Sequence, residues 1–282
     1  MTLKGCLVVR NFIYFICMFL LVLSCHADNW FYEKFEMQWG ENINDPSVDK
    51  TERLKDFEQY DFSNLWIRHQ NTMIGYIGNN YQRFYIHFNE IQKSKESPVV
   101  YLVSGKTKVK NNVNNFTGEI KLLHVYGMST VRKKSNLEEY QWASKARDVD
   151  LMSRWRDNRF IVVVQYIFRE NPKQNNSGVL NGTAKSYFYL KNNKILYDDG
   201  DIVSDGYANN LFVGTWKSYK TGVVKKCNFG NFRIPDARDL DIGTAEFIPS
   251  NKYLDNGWRG YSDLEGKQDL RGDETDKNLW WK

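Results

Sequence analysis

The chain is 282 residues long, 41% hydrophobic and 15% aromatic, with a formal charge of +5. That length suits one large domain or two small ones, and it buries a sizeable core without disulfides or metal. Its 17 Phe, 17 Tyr and 9 Trp exclude general disorder, and 19 Gly with 5 Pro exclude collagen-like and low-complexity classes.

Residues 1–24 read as a secretory signal peptide. Lys4 and Arg10 form a positive start, and the apolar run Phe12 to Leu23 follows. That run is shorter than the ~20 residues a membrane-spanning helix needs. Two processing routes are open. Val22-Leu23-Ser24-Cys25 is similar to a bacterial lipobox, which would lipidate Cys25, whereas an ordinary signal peptidase would cut after Ala27. Lipidation is the favoured route, and such an anchor holds a domain on a membrane surface. The cysteines stand at 6, 17, 25 and 227. Removing residues 1–24 leaves Cys25 and Cys227, so no disulfide framework is expected. Cys227 reads as a small buried hydrophobe. The same removal takes the formal charge from +5 to +3. With no clustered basic face, nucleic acid is not an expected partner, and Arg132-Lys133-Lys134 reads as a solvated loop.

Residues 25–65 read as an extended, polar and aromatic entry segment, with a helical turn or a short strand between Asp56 and Trp66. From Thr72 the pattern has period two. Gly78-Asn79-Asn80 separates two apolar runs and predicts a hairpin. In the second run Phe84, Ile86 and Phe88 share one face and Arg83, Tyr85 and His87 the other. Val99 to Val109 alternates likewise, with Tyr101, Val103 and Val109 on one parity and Lys106 and Lys108 on the other. Asn111 to Asn115 is read as a turn, and Phe116 to Tyr126 as a strand. Residues 137–155 have helix-forming composition and predict one helical insertion.

Strands are expected again at Arg159 to Arg169, where apolar residues on both parities imply two covered faces. Further strands follow at Val179 to Leu190, Lys194 to Tyr197, Leu211 to Tyr219 and Leu240 to Ile248. The turns are Asn171 to Gly178 and Asn192-Asn193. Phe116-Thr-Gly118, Leu180-Asn-Gly182 and Phe212-Val-Gly214 each open a strand and read as meander corners, where an early glycine permits close backbone approach or a sharp bend. The tail 263–282 is polar and ends in Trp280-Trp281, which predicts docking onto the body. The expected fold is mainly β: an antiparallel meander forming a β-barrel or sandwich over residues 66–262.

The phrases Phe116-Thr-Gly-Glu and Phe212-Val-Gly-Thr-Trp resemble strand starts of avidin-like and lipocalin-like barrels. A second resemblance covers most of residues 73–261. It rests on Gly105-Lys-Thr-Lys-Val-Lys-Asn-Asn, Ser204-Asp-Gly-Tyr, Phe212-Val-Gly-Thr-Trp-Lys-Ser-Tyr-Lys and Lys226-Cys-Asn-Phe-Gly-Asn-Phe-Arg-Ile-Pro. Asp239-Leu-Asp-Ile-Gly, Asn256-Gly-Trp and the closing Trp-Trp complete it. With these the chain resembles a family of exported, lipoprotein-like proteins from Bacteroidetes-type bacteria. The resemblance implies export and leaves the chemistry open.

Candidate chemistry is sparse. Asp198-Asp-Gly-Asp201 with Asp205 lacks the alternation and closing Glu of a calcium loop and reads as an acidic turn. The His and Cys spacings fit no metal motif, so neither metal nor cofactor is expected. Cys227 to Pro235 reads as a structured loop. Asp239, Asp241 and Glu246 are the candidates for acid–base work, the first two on one parity if that stretch is a strand. Arg233 either joins them around a pocket or pairs with a nearby Asp. Trp216, Tyr219, Arg233 and Trp258 are the candidate ligand-binding residues. Asn115, Asn175 and Asn181 head glycosylation-type tripeptides that occur readily in an Asn-rich chain.

The leading expectation is an exported, non-enzymatic β-barrel, lipid-anchored if Cys25 is acylated, that binds a small ligand or a cell-envelope partner. It would sit in the outer membrane as a lipoprotein, in the periplasm, at the cell surface or outside the cell. An extracytoplasmic hydrolase using the acidic residues and a structural envelope protein holding a neighbour by its Trp-Trp tail are the alternatives.

Overall fold

The computed structural model describes residues 48–128, 158–200, 202, 204–262 and 280–282. The signal peptide, Cys25, the helical insertion expected at 137–155 and most of the polar tail lie outside these residues. Among the described residues there are ten strands: β1 (Val48–Asp49), β2 (Met73–Ile77), β3 (Gln82–Lys93), β4 (Val100–Val109), β5 (Asn112–Met128), β6 (Arg159–Glu170), β7 (Gly178–Lys191), β8 (Lys194–Tyr197), β9 (Asn209–Ser218) and β10 (Val224–Asn231). Every pairing is antiparallel, and the order runs β1-β5-β4-β3-β2-β10-β9-β7-β6. β5 also pairs with β6, so eight strands return on themselves as a ring. β8 attaches to the end of β7 and β1 to the end of β5.

The interior follows from period-two alternation. Phe84, Phe88, Phe116, Tyr166, Phe168, Phe212 and Phe229 turn inward and touch ring to ring. Glycines opposite them make the room. A Cβ on Gly214 would stand 2.4 Å from the Tyr166 hydroxyl, and one on Gly182 would stand 2.0 Å from the Val213 carbonyl oxygen. Gly118, Gly182 and Gly214 thus mark close approaches between strands, as the sequence implies, but within β5, β7 and β9 and not at their starts.

The lead-in segment supplies two short helices, α1 (Leu54–Phe57) and α2 (Ser63–Ile67), so the helical alternative holds between Asp56 and Trp66. They bring Phe57, Phe62, Leu65 and Trp66 into the core at the end where β6 and β4 begin. Trp66 Nε1 donates to Ser186 Oγ at 3.2 Å, and the Asn210 amide donates to the Leu65 carbonyl at 2.9 Å. β6 is covered on both faces, as its composition implies: Ile161 and Val163 form a separate outer cluster with Tyr187.

Three expectations are corrected. Asn112 to Asn115 already belong to β5, because Lys110, with φ of 54°, and Asn111 complete the turn alone. Cys227 to Asn231 is strand, not loop. β10 carries only Cys227 and Phe229 as apolar core residues, so its alternation is hidden among Lys and Asn. Leu240 to Ile248 is not a strand. Arg238–Leu240 form a 3-10 turn, and only Asp241 makes an isolated bridge, to Pro249. The segment after β10 instead wraps the outside of β2, packing Ile234, Ala237, Leu240, Phe247, Tyr253 and Trp258 on Ile74 and Tyr76.

Candidate functional site

The alternation that sends Phe84, Ile86 and Phe88 inward puts Arg83, Tyr85 and His87 on the outer side of β3. β4 pairs with it in register, setting Lys108 opposite Tyr85 and Lys106 opposite His87. The wrapping segment ends beside them. Gln82 Nε2 donates to the Asn256 carbonyl and Trp258 Nε1 to the Tyr81 carbonyl, each at 2.7 Å. These bonds hold Trp258 over Arg83. Helix α3 (Arg259–Ser262) follows and supplies Tyr261.

The Arg83 guanidinium lies 4.3 Å from the Trp258 ring centre, 4.7 Å from that of Tyr85 and 5.4 Å from that of Tyr261. The side chain is buried, and Nη1 has no hydrogen-bond partner. Burial pulls its pKa below the ordinary arginine value, and the neighbouring phenols of Tyr85 and Tyr261 oppose this. It stays charged regardless. Stacking on π faces compensates for lost hydration, a contact worth ~2 kcal/mol when desolvated.

The C-terminal residues extend the cluster. Trp280 stands edge-on to Tyr85 with ring centres 6.0 Å apart, and Trp281 lies nearly flat on His87 at 4.6 Å and 13°. Lys108 Nζ is 5.5 Å from the Tyr85 ring and 5.9 Å from the Trp280 ring. Lys106 Nζ donates to the Lys282 main-chain oxygen at 3.4 Å. Burial, and then the charge of Lys106, lower the His87 pKa. The docking predicted for the Trp pair therefore holds. Among the described residues, Arg83, Lys106 and Lys108 form no ion pair with an Asp or Glu side chain. Arg83, Tyr85 and His87 span ~13 Å along the strand at ~3.3 Å per residue.

The residues singled out from sequence disperse. Of the four candidate ligand contacts, only Trp258 belongs to this strip. Trp216 is inside the ring, where its Nε1 donates to Glu170 Oε2 at 2.9 Å. Tyr219 is exposed just beyond β9. Arg233 is buried and donates to Asp241 at 2.6 Å and to the carbonyls of Gly243, Thr244 and Ala245. That is the pairing alternative the sequence leaves open, and it fastens the wrapping segment.

The three candidate acids have different surroundings. Asp241 also accepts the backbone N–H groups of Gly243 and Ile248. Asp239 bonds Lys252 and Tyr253, which hold its pKa below the usual range, and Glu246 is exposed. Asp198 pairs with Arg159 at 2.6 Å, in keeping with a structural acidic turn. Cys227 is buried among the core rings, and burial pushes its thiol pKa up. Among the described residues no three His, Cys, Asp or Glu side chains gather as a metal site. No helix among them is long and apolar enough to cross a membrane.

Sequence reasoning placed Arg83, Tyr85, His87, Lys106 and Lys108 on polar faces without joining them. The joining depends on β3–β4 register and on two distant segments, Trp258 to Tyr261 and Trp280 to Lys282. Comparison with known proteins adds nothing to this geometry: no protein-family model, no curated protein and no solved structure matches the chain.

Proposed function

We propose that the protein is an exported, non-enzymatic β-barrel that binds a cell-envelope partner through its outer face, held at a membrane surface by a lipid on Cys25. In this reading the eight-stranded ring is an up-and-down barrel of lipocalin-like or avidin-like build. Eight strands leave an interior just wide enough to be filled by side chains. One observation carries the choice of partner over interior ligand: the interior is occupied by the chain's own rings, while further rings and the cations of Arg83, Lys106 and Lys108 collect outside on β3 and β4. The hydrolase alternative draws no support from Asp239 and Asp241, which are committed to different partners.

The test is retention of the purified, labelled protein on washed envelopes of the source cells. Retention by the native chain and its loss in Lys108→Ala/Trp281→Ala support the outer-face reading. Equal retention of the two proteins removes it. Palmitate labelling of the native chain, absent in Cys25→Ala, is the expected outcome for the anchor.

A further inference from the structure

We propose that the strip formed by Tyr85, His87, Lys106, Lys108, Trp280 and Trp281 binds an acidic polysaccharide, a chain of sugars bearing carboxylates. This deepens the outer-face reading above and rests on it.

Charge gives the first half of the argument. Lys106 and Lys108 stand on the strip with buried Arg83 beneath them, and none of the three pairs with an Asp or Glu side chain among the described residues. Enclosed by the Trp258, Tyr85 and Tyr261 rings, the Arg83 guanidinium adds positive charge beneath the face without touching a ligand. Unpaired charge on one face attracts the opposite charge and sets the sign of the partner. Lys106 and Lys108 are half-buried, and the Lys108 ammonium stands against the Tyr85 and Trp280 rings.

Ring geometry gives the second half. Indole and phenol rings offer apolar faces and edges beside polar groups, which suits the mixed C–H and hydroxyl surface of a sugar. A nucleic-acid base instead needs a free, flat π face. Here several such faces are taken: Tyr85 by Arg83 and Lys108, Trp258 by Arg83, and Trp281 by His87. The half-exposed rings of Tyr85 and Trp280 lie beside the Lys108 ammonium group. Sugar hydroxyls and carboxylates pair with such groups, and stacked bases do not. Tyr85 and His87 also alternate with the lysines across the β3–β4 ladder, so charge and ring repeat along a line and not around a point. A line fits a polymer better than a single small anion.

The experiment is titration calorimetry of the purified full chain with polygalacturonate, with a neutral glucan of similar length, and with a single-stranded oligonucleotide, at low and high salt. The expected result is binding of polygalacturonate that weakens with salt, no binding of the neutral glucan, and weaker binding of the oligonucleotide. Lys106→Ala/Lys108→Ala should bind about tenfold more weakly, as expected for two lost charge-assisted contacts. Trp281→Ala should also weaken binding while leaving its salt dependence intact. Lys108→Gln, which keeps the stem, serves if the double variant does not fold. Equal affinity for the neutral glucan, tighter binding of the oligonucleotide, an unchanged Kd in the lysine variants, or no heat with polygalacturonate at low salt each overturn the proposal. If envelope retention depends on the strip while polygalacturonate fails, the outer-face reading stands and only the glycan assignment falls.

Discussion

Glu170 shows how a single residue settles what Trp216 does. It ends β6, is buried, and accepts from Trp216 Nε1, from the Gly178 N–H at 2.7 Å and from the Thr107 hydroxyl. An indole so engaged is part of the core and not a ligand contact. Replacing Glu170 by Ala strands these donors, each costing ~1–3 kcal/mol when buried without a partner. Urea unfolding should therefore show a loss of several kcal/mol, with a red-shifted tryptophan emission. Glu170→Gln retains an acceptor and should lose less.

Two histidines set a pH response at the same scale. Burial first lowers the His69 pKa, with Arg68 adding to it and Asp199 opposing, and His69 also packs on Tyr197. His87 is lowered by burial and Lys106. In both cases the folded value lies below the unfolded 6.5. As pH falls through 6.5 the unfolded chain takes up protons before the folded one, so stability falls until the folded values are passed. Thermal midpoints should thus drop between neutral and mildly acid pH, before the carboxylates titrate. His69→Asn together with His87→Gln should flatten that slope. Asn suits position 69, where φ is 58°.

At the scale of elements, legibility tracked the clarity of alternation. β3 and β6 have strong periodicity or long apolar runs, and both appeared close to their expected places. β10 was hidden because Lys225, Lys226, Asn228 and Asn231 outnumber its inward residues. Asn228 and Asn231 are buried yet polar because they serve bonds outside the ladder, to the Pro235 carbonyl and to Thr72 and His69. Such roles depend on distant segments and leave no local periodicity. The wrapping segment was misread as a strand for the complementary reason. Arg233 satisfies several of its carbonyls in place of a ladder. Arg233→Met should cost ~3–5 kcal/mol by leaving Asp241 buried without its cation, measurable by denaturant melts. Close packing between strands gives another test. Gly182→Val should destabilise by at least ~1–3 kcal/mol, because the added carbons meet the Val213 backbone.

For the whole molecule, the meander and its inward rings were readable from sequence, while the strip was not. Each of its residues sat on a recognisable polar or terminal segment, and only the joined structure made them neighbours. Removing Trp280–Lys282 should leave the ring folded, since these residues touch its outside, at Tyr85, His87, Lys106 and Lys108. NMR titration of that truncation should show the His87 pKa moving up toward 6.5 as its cover is lost.

Closure of the ring also governs when the chain can fold. β2 pairs with β10, and the Asn228 amide donates to the Tyr76 hydroxyl across 152 residues of sequence. Contacts so remote cannot form while β10 is still inside a ribosome or a translocation channel, and non-local pairing of this kind is slow even afterwards. A nascent chain ending before Val224 should therefore stay protease-sensitive, whereas the complete chain becomes resistant. Under the export proposed above, a chain that crosses a membrane unfolded gains from this delay, because its last strand is also its lock.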